Sequence, residues 1–204
     1  MLGGDIAPFH RFARAYDLLS PPANRAALRA GLARAERNIE RVVDLGGGPG
    51  QNVRALDPPE GIVVDAARGM TEMARRNGLV AVQADAARLP LAANTVDAIV
   101  VSDALHHIGN RPAVFEEAAR VLRPGGVLVV REFDPSTLRG RALVTVEHLV
   151  GFESTFAPPD DLADEMAVAG FRPSVLDRGF GYTVVGVALG PASTDRTASG
   201  THKS

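Results

Sequence analysis

The chain has 204 residues, a formal net charge of −2 and no cysteine. This length fits a single domain with a buried core, and the lack of cysteine excludes disulfides, thiolate metal sites and cysteine nucleophiles. The near-neutral charge argues against a nucleic-acid partner. No apolar run reaches the length of a membrane span, and no signal-peptide core begins the chain, so we expect a cytoplasmic protein. No metal site is predicted.

Short apolar runs alternate with amphipathic stretches, a pattern typical of β/α units on a parallel sheet. The predicted strands are Arg41–Leu45, Ile62–Asp65, Val80–Gln83, Ala98–Ser102, Val127–Phe133, Phe171–Asp177 and Tyr182–Leu189. The predicted helices are Phe9–Leu19, Ala23–Arg37, Asn52–Leu56, Gly69–Arg76, Ala113–Leu122, Thr137–Gly151 and Asp160–Ala169. Residues 123–126, Arg-Pro-Gly-Gly, are expected to end a helix and turn into the fifth strand. A tight turn at residues 178–181 should join the last two strands.

These elements predict an α/β fold, with a doubly wound and mostly parallel seven-stranded sheet that ends in an antiparallel hairpin. Residues 1–189 are expected to form one domain, in which residues 1–38 make an N-terminal helical cap. Residues 190–204 are rich in Ser, Thr, Gly and Ala, and this composition predicts a disordered tail.

A glycine loop follows the first predicted strand, in the run Val-Val-Asp-Leu-Gly-Gly-Gly-Pro-Gly of residues 42–50. Gly46, Gly48 and Gly50 allow the backbone to turn sharply and to approach a ligand closely. The N-terminus of the next helix offers unpaired N–H groups to an anion. Asp44 lies beside the loop and suits a ligand that also carries a positive charge.

Two further acids follow strand ends. Asp65 closes the second strand about 20 residues beyond the loop, where a carboxylate can accept both hydroxyls of a ribose. Asp85, followed by Ala86, comes after the third strand, where an acid can accept from an adenine amine. Ligands of open α/β sheets bind at the carboxyl ends of the strands, so these residues should share one edge. For either acid alone, a capping or turn role is the alternative.

A dinucleotide-binding reductase is the structural competitor for this loop. Its Gly-x-Gly-x-x-Gly fingerprint would require glycine at Gln51 when counted from Gly46, or at Val53 when counted from Gly48. Neither position is glycine, and Asp44 would repel a pyrophosphate. A ligand that also carries a positive charge suits the loop better.

Together, these segments resemble the class I S-adenosylmethionine-dependent methyltransferases, from about Phe9 to Leu189. The matching segments are the glycine motif at 44–50, residues 65–70 with Ala67 in place of Ser, Asp85-Ala86 with Leu89-Pro90 and Val96-Asp97, and residues 122–128. The resemblance implies a Rossmann-like methyltransferase fold with S-adenosyl-L-methionine as cofactor. The segment Phe9–Leu19 resembles the ubiquinone/menaquinone-type C-methyltransferases, although Pro49 stands where that group often has a hydroxyl residue.

The resemblance also implies roles for individual residues. The implied cofactor-binding residues are Tyr16, Asp44, Gly46, Gly47, Gly48, Gly50, Asp65, Ala66, Met70, Asp85, Ala86 and Ser102. In that family the loop receives the methionine part, Asp44 holds its ammonium directly or through water, and Asp65 takes the ribose. Met70 would pack on the adenine or simply fill the core, and Ser102 would line the sulfonium or bond its own backbone.

Candidate groups for the methyl acceptor follow the fourth strand. His106 and His107, next to Asp103, are the predicted catalytic residues, and the alternative is that they cap or pack the next helix. Glu147 and His148 lie on a later helix that often borders the acceptor in this family, but we expect a solvated face there.

Three charged residues, Arg131, Glu132 and Asp134, end the fifth strand at the same edge. They are expected either to shape the acceptor pocket or to pair with one another.

The combined prediction is a methyltransferase that acts on a small-molecule acceptor. The alternatives are a non-catalytic S-adenosylmethionine-binding regulatory protein and an RNA or protein methyltransferase. The chain lacks a basic, aromatic-rich segment, which counts against RNA.

Overall fold

The computed structural model describes residues 23–149 and 154–190. The helices are α1 (Arg25–Leu32), α2 (Gln51–Leu56), α3 (Arg68–Arg76), α4 (Arg111–Val121), α5 (Leu138–Leu149) and α6 (Pro159–Val168). The strands are β1 (Arg41–Leu45), β2 (Glu60–Asp65), β3 (Val80–Gln83), β4 (Val96–Ser102), β5 (Leu122–Phe133), β6 (Phe171–Asp177) and β7 (Gly181–Ala188). A short 3₁₀ turn, Leu105–His107, follows β4.

The strands form one sheet in the order β3-β2-β1-β4-β5-β7-β6. Strands β1 to β5 are parallel, and β7 is antiparallel to both of its neighbours. The predicted α/β sheet with its terminal hairpin is confirmed. The strand order reverses direction between β1 and β4, and a ligand crevice is expected at the carboxyl ends of strands at such a point.

The sheet is covered on both faces, which explains why its central strands are continuous apolar runs. Alternate residues of a strand pack into hydrophobic cores on opposite faces of the sheet. Val43 and Leu45 face the core beneath α4 and α6, whereas Val42 faces the core beneath α1. On that second face, a Cβ at Gly31 of α1 would lie 2.5 Å from a Val129 methyl, so the helix packs directly on the sheet.

The predicted boundaries that differ most from the structure are the end of α1 and the start of β5. α1 ends at Leu32 and does not reach Arg37, because the chain is pulled to the sheet edge, where the Arg37 side chain donates to Asp97 over 2.9 Å. Residues 123–126 are part of β5, as a bulge between the pairs Val96–Leu122 and Ala98–Val127. Gly125 allows this bulge through its φ of +77°.

The predicted helix Phe9–Leu19, with Tyr16, lies outside the described residues, as does the tail from 191 onward. The domain limits at 1–189 therefore stay a prediction. Among the helices that are described, none is long and apolar enough to cross a membrane.

Candidate functional site

The glycine loop folds into a tight cradle between β1 and α2. Gly46 and Gly50 have φ angles of +64° and +87°, which side chains other than glycine rarely adopt. A Cβ at Gly46 would lie 2.6 Å from Ala104 Cβ, and one at Gly47 would lie 2.5 Å from Asp44 Oδ2. The loop thus packs on the residues that follow β4 and directly over the carboxylate of Asp44.

Asp44 is fully buried beneath this loop. Its Oδ1 accepts a hydrogen bond of 3.0 Å from Asn52 Nδ2, and its Oδ2 has no hydrogen-bond partner within the described part of the chain. Burial raises the pKa of Asp44 to about 7, against the smaller opposing effect of the Asn52 hydrogen bond. Asn52 was not selected from the sequence, although an amide in the first turn of the helix after a glycine loop could have suggested it.

We expect Asp44→Asn to remove a pH dependence from stability. The pKa of Asp44 lies above its ordinary value of 3.8, so its contribution to stability is complete below about pH 4 and is lost as pH rises to about 7. The loss is about 4 kcal/mol. Urea denaturation of both proteins between pH 4 and 8 measures it. The other titratable groups are the same in both proteins, so their contributions cancel in the difference between the two free energies of unfolding. A difference that does not change with pH would contradict the burial of the Asp44 charge.

Asp65 connects the loop to β2 and α3. Its Oδ2 accepts from the Gly48 N–H over 3.0 Å, and its Oδ1 accepts from the Ala67 N–H over 2.8 Å. The carbonyl of the same residue accepts from the Ala84 N–H over 3.1 Å. The carboxylate predicted to take the ribose therefore lies against the loop predicted to take the methionine part.

The remaining predicted cofactor residues lie along the same edge. Asp85 Oδ1 accepts from the Ala87 N–H over 2.9 Å, so Asp85 does form the turn that was its alternative role, and Ala86 lies inside that turn. Met70, at the start of α3, is 2% exposed. Ser102 ends β4, and its hydroxyl donates to Asp103 over 3.3 Å. None of these contacts tests the predicted roles toward the adenine or the sulfonium.

A second group of polar residues lies after β4 and β5, centred on His106. His106 is 4% exposed. Its Nδ1 lies 2.7 Å from Glu132 Oε2, while Glu132 Oε1 accepts from the Leu105 N–H over 2.7 Å. Phe156 stacks on the imidazole at a centroid distance of 4.3 Å. Glu132 therefore orients both the turn and the imidazole ring. From the sequence, Glu132 was expected only to shape the pocket or to pair with its neighbours.

His107 and Glu147 complete this group. His107 Nδ1 lies 3.3 Å from Ser154 Oγ. Glu147 Oε1 of α5 lies 3.8 Å from His106 Nε2, and the Glu147 side chain is 16% exposed. The solvated face expected for Glu147 is wrong, because α5 turns this residue toward the turn after β4. His148 is exposed, and its Nε2 lies 3.2 Å from the Ser154 carbonyl oxygen.

The buried charges of this group influence one another. Burial would lower the pKa of His106, but the carboxylates of Glu132, Glu147 and Asp103 raise it above its ordinary value. Burial and the adjacent His106 lower the pKa of His107 to about 3. Burial and Glu132 raise the pKa of Asp103 to about 6.

The other two charged residues at the end of β5 have partners of their own. Arg131 Nη1 donates to Thr183 Oγ1 over 3.4 Å and lies 3.9 Å from Asp177. Asp134 Oδ1 accepts from both the N–H and the hydroxyl of Ser136. They shape the end of the sheet, whereas Glu132 alone of the three reaches the histidines.

Comparisons with known proteins agree with this geometry. The methyltransferase domain family matches residues 43–130, which span the glycine loop, Asp65, Asp85, the histidines and most of β5. A demethylmenaquinone methyltransferase of Mycobacterium sp. (strain KMS) is 36% identical over 157 residues, covering 70% of this chain and 65% of the relative. The corresponding enzyme of Corynebacterium kroppenstedtii is 35% identical over 113 residues, 54% of this chain and 49% of the relative. The chain thus spans about half to two thirds of these relatives.

Solved structures share the fold at low sequence identity. An S-adenosylmethionine-dependent methyltransferase from Thermotoga maritima superposes with a TM-score of 0.74 at 23% identity, covering 90% of this chain and 99% of that one. Another, from Mesorhizobium loti, gives a TM-score of 0.65 at 22% identity, covering 79% and 96%. The Rossmann-like methyltransferase fold predicted from the sequence is confirmed.

Proposed function

We propose that this chain, which resembles the class I S-adenosylmethionine-dependent methyltransferases of the demethylmenaquinone and ubiquinone/menaquinone group, transfers a methyl group to a small-molecule acceptor. The observation that carries the proposal is the direct contact between Asp65 and the glycine loop, through the 3.0 Å bond to the Gly48 N–H. This contact places the proposed ribose acceptor beside the proposed methionine-binding loop, at the switch point of the sheet.

The residues at this edge fit the cofactor. The close packing of Gly46 and Gly47 leaves no room for side chains in the cradle. The unpartnered oxygen of Asp44 beneath it suits a group that brings a positive charge, directly or through water. We propose that Asp65 holds the ribose and that Asp85 with Ala86 reads the adenine edge, with Met70 packed on the ring. When bound, the cofactor supplies an electrophilic methyl group on a sulfonium.

On the acceptor side, we propose that His106 takes a proton through Nε2, with His107 beside it. Glu132 holds Nδ1 at 2.7 Å, which favours the tautomer with its proton on Nδ1 and the lone pair on Nε2. The same carboxylate–imidazole arrangement orients the base in hydrolytic triads. Phe156 and the buried turn exclude water from one side of the ring, which favours transfer within the site.

The acceptor class to test first is a quinol, because the similar proteins named above are demethylmenaquinone methyltransferases. Deprotonation of a quinol hydroxyl would make the adjacent ring carbon nucleophilic, and the hydroxyl proton would pass to His106. After methyl transfer the same ring carbon would lose its C–H proton and the hydroxyl would be protonated again, which restores the aromatic quinol with the net release of one proton. A cytoplasmic location and the absence of a nucleic-acid partner stay predictions from the sequence.

Calorimetry with S-adenosylmethionine and its demethylated product tests the cofactor, and methyl incorporation from labelled cofactor tests transfer. We expect both nucleosides to bind, and label to enter a water-soluble naphthoquinol. The lack of any binding to the intact chain would refute the proposal. Binding without transfer to quinols, phenols or amines would favour the non-catalytic regulatory alternative.

A further inference from the structure

Three metal-ligating side chains meet on the acceptor side of the site. One ligand atom of each of His106, His107 and Glu147 lies within 4.8 Å of the other two. We propose that these three residues bind a divalent transition-metal ion of the Zn²⁺ class. The sequence alone predicted no metal site, because Glu147 lies 40 positions beyond His107 and was expected to face solvent.

The second shell for such an ion is already formed. Metal-binding histidines usually donate their other ring N–H to a carboxylate, which fixes the tautomer and the ring orientation. His106 does so through Nδ1, 2.7 Å from Glu132, so that Nε2 faces Glu147. The 3.8 Å between Nε2 and Glu147 Oε1 is too long for a hydrogen bond. An ion with bonds of about 2.0–2.2 Å to each atom would bridge it.

The charge of the pocket favours a cation. Glu147 Oε2 is buried and has no hydrogen-bond partner in the described segments, and an unsatisfied buried carboxylate oxygen is costly. The carboxylates of Glu132 and Asp103 also act on His106. A divalent ion would satisfy the Glu147 oxygen and offset this concentration of negative charge.

The ligands are held in place by contacts with one short segment. The Thr155 N–H donates to the His106 carbonyl over 2.8 Å, Ser154 Oγ lies 3.3 Å from His107 Nδ1, and Phe156 stacks on His106. A tetrahedral site needs ligand atoms about 3.4 Å apart. The ligand atoms now lie within 4.8 Å of one another, so each pair would have to approach by at most about 1.4 Å when an ion binds.

The donor set indicates the kind of ion. Two imidazoles and one carboxylate suit zinc, iron, cobalt or nickel, whereas magnesium and calcium prefer oxygen ligands alone. Three protein ligands leave one position open, as in catalytic zinc sites. If the proposed function holds, that position would take an acceptor oxygen and favour its deprotonated form. Because one lone pair on Nε2 cannot both bind an ion and accept a proton, His106 would take the acceptor proton only in the metal-free chain. In the metal-bound chain the ion would stabilise the deprotonated acceptor oxygen instead.

The test is calorimetric titration of the untagged full chain with Zn²⁺ after treatment with a chelator, together with the visible spectrum of the Co²⁺ form. We expect one ion per chain, with affinity reduced at least about tenfold by Glu147→Gln and further by His106→Gln. The matched controls are His148→Gln, on the same helix, and Glu116→Gln, an exposed carboxylate on α4. Both should bind like the wild type.

Equal affinity in Glu147→Gln and the wild type would overturn the proposal, as would the absence of binding at micromolar Zn²⁺. Circular dichroism checks that each variant is folded. If His106→Gln does not fold, Glu147→Gln decides the question, because its carboxylate makes no hydrogen bond through Oε2. The readout needs no nucleoside, so its failure is separate from failure of the proposed methyl transfer.

Discussion

Replacing Asp65 with alanine should weaken the binding of S-adenosylmethionine by about 100-fold or more, since two charge-assisted hydrogen bonds to a ribose are each worth about 1.5–3 kcal/mol. A carboxylate accepts about four hydrogen bonds. The same two oxygens can therefore hold the Gly48 and Ala67 N–H groups and a pair of ribose hydroxyls. Calorimetry with the cofactor and with its demethylated product measures the loss.

The effect of this substitution on stability should be much smaller. Two backbone donors lose an acceptor, at about 1 kcal/mol each, and no core side chain changes. Asp177→Ala is the matched control, because Asp177 also ends a strand and accepts from a neighbouring hydroxyl, that of Thr183. It lies on β6, at the other end of the strand order from β2. Its cofactor affinity should equal that of the wild type. Unchanged affinity in Asp65→Ala would refute the ribose role.

The strands could be predicted closely because their signal is local. β1, β3 and β6 have the predicted bounds, since each is a short apolar or alternating run between polar turns. The end of α1 could not be predicted in this way. It depends on the hydrogen bond from Arg37 to Asp97, which lies 60 positions away. The helical periodicity of the sequence continues beyond Leu32, where the chain leaves the helix to make this contact.

The two halves of the candidate site differ in the same respect. Asp44, Asp65 and the glycine loop were predictable because strand ends of a parallel sheet converge on one edge. The links from His106 to Glu132 and Glu147 were not. They join three segments whose relative rotation is set by packing, and the sequence carries no spacing that would reveal it.

Loss of Glu132 should destabilise the protein strongly. It is 4% exposed and accepts from the Leu105 N–H and from His106 Nδ1. Glu132→Ala would leave these buried donors without an acceptor, which costs about 1–3 kcal/mol for each donor. Chemical denaturation at pH 7 should show this loss. A loss below about 1 kcal/mol, the value of an ordinary hydrogen bond, would contradict the buried pairing.

Glu132→Gln separates orientation of the imidazole from stability. Glutamine can still accept from the Leu105 N–H, but its amide group would donate to His106 Nδ1 and place the ring proton on Nε2. Turnover should then fall by at least about 100-fold, while cofactor affinity stays unchanged, because Glu132 lies on the acceptor side. Glu117→Gln is the control, since Glu117 also accepts a backbone hydrogen bond, from Leu89, but away from the histidines. A variant whose His106 carries its proton on Nε2 cannot accept another proton there. Full turnover in Glu132→Gln would therefore show that the pair of Glu132 and His106 has only a structural role.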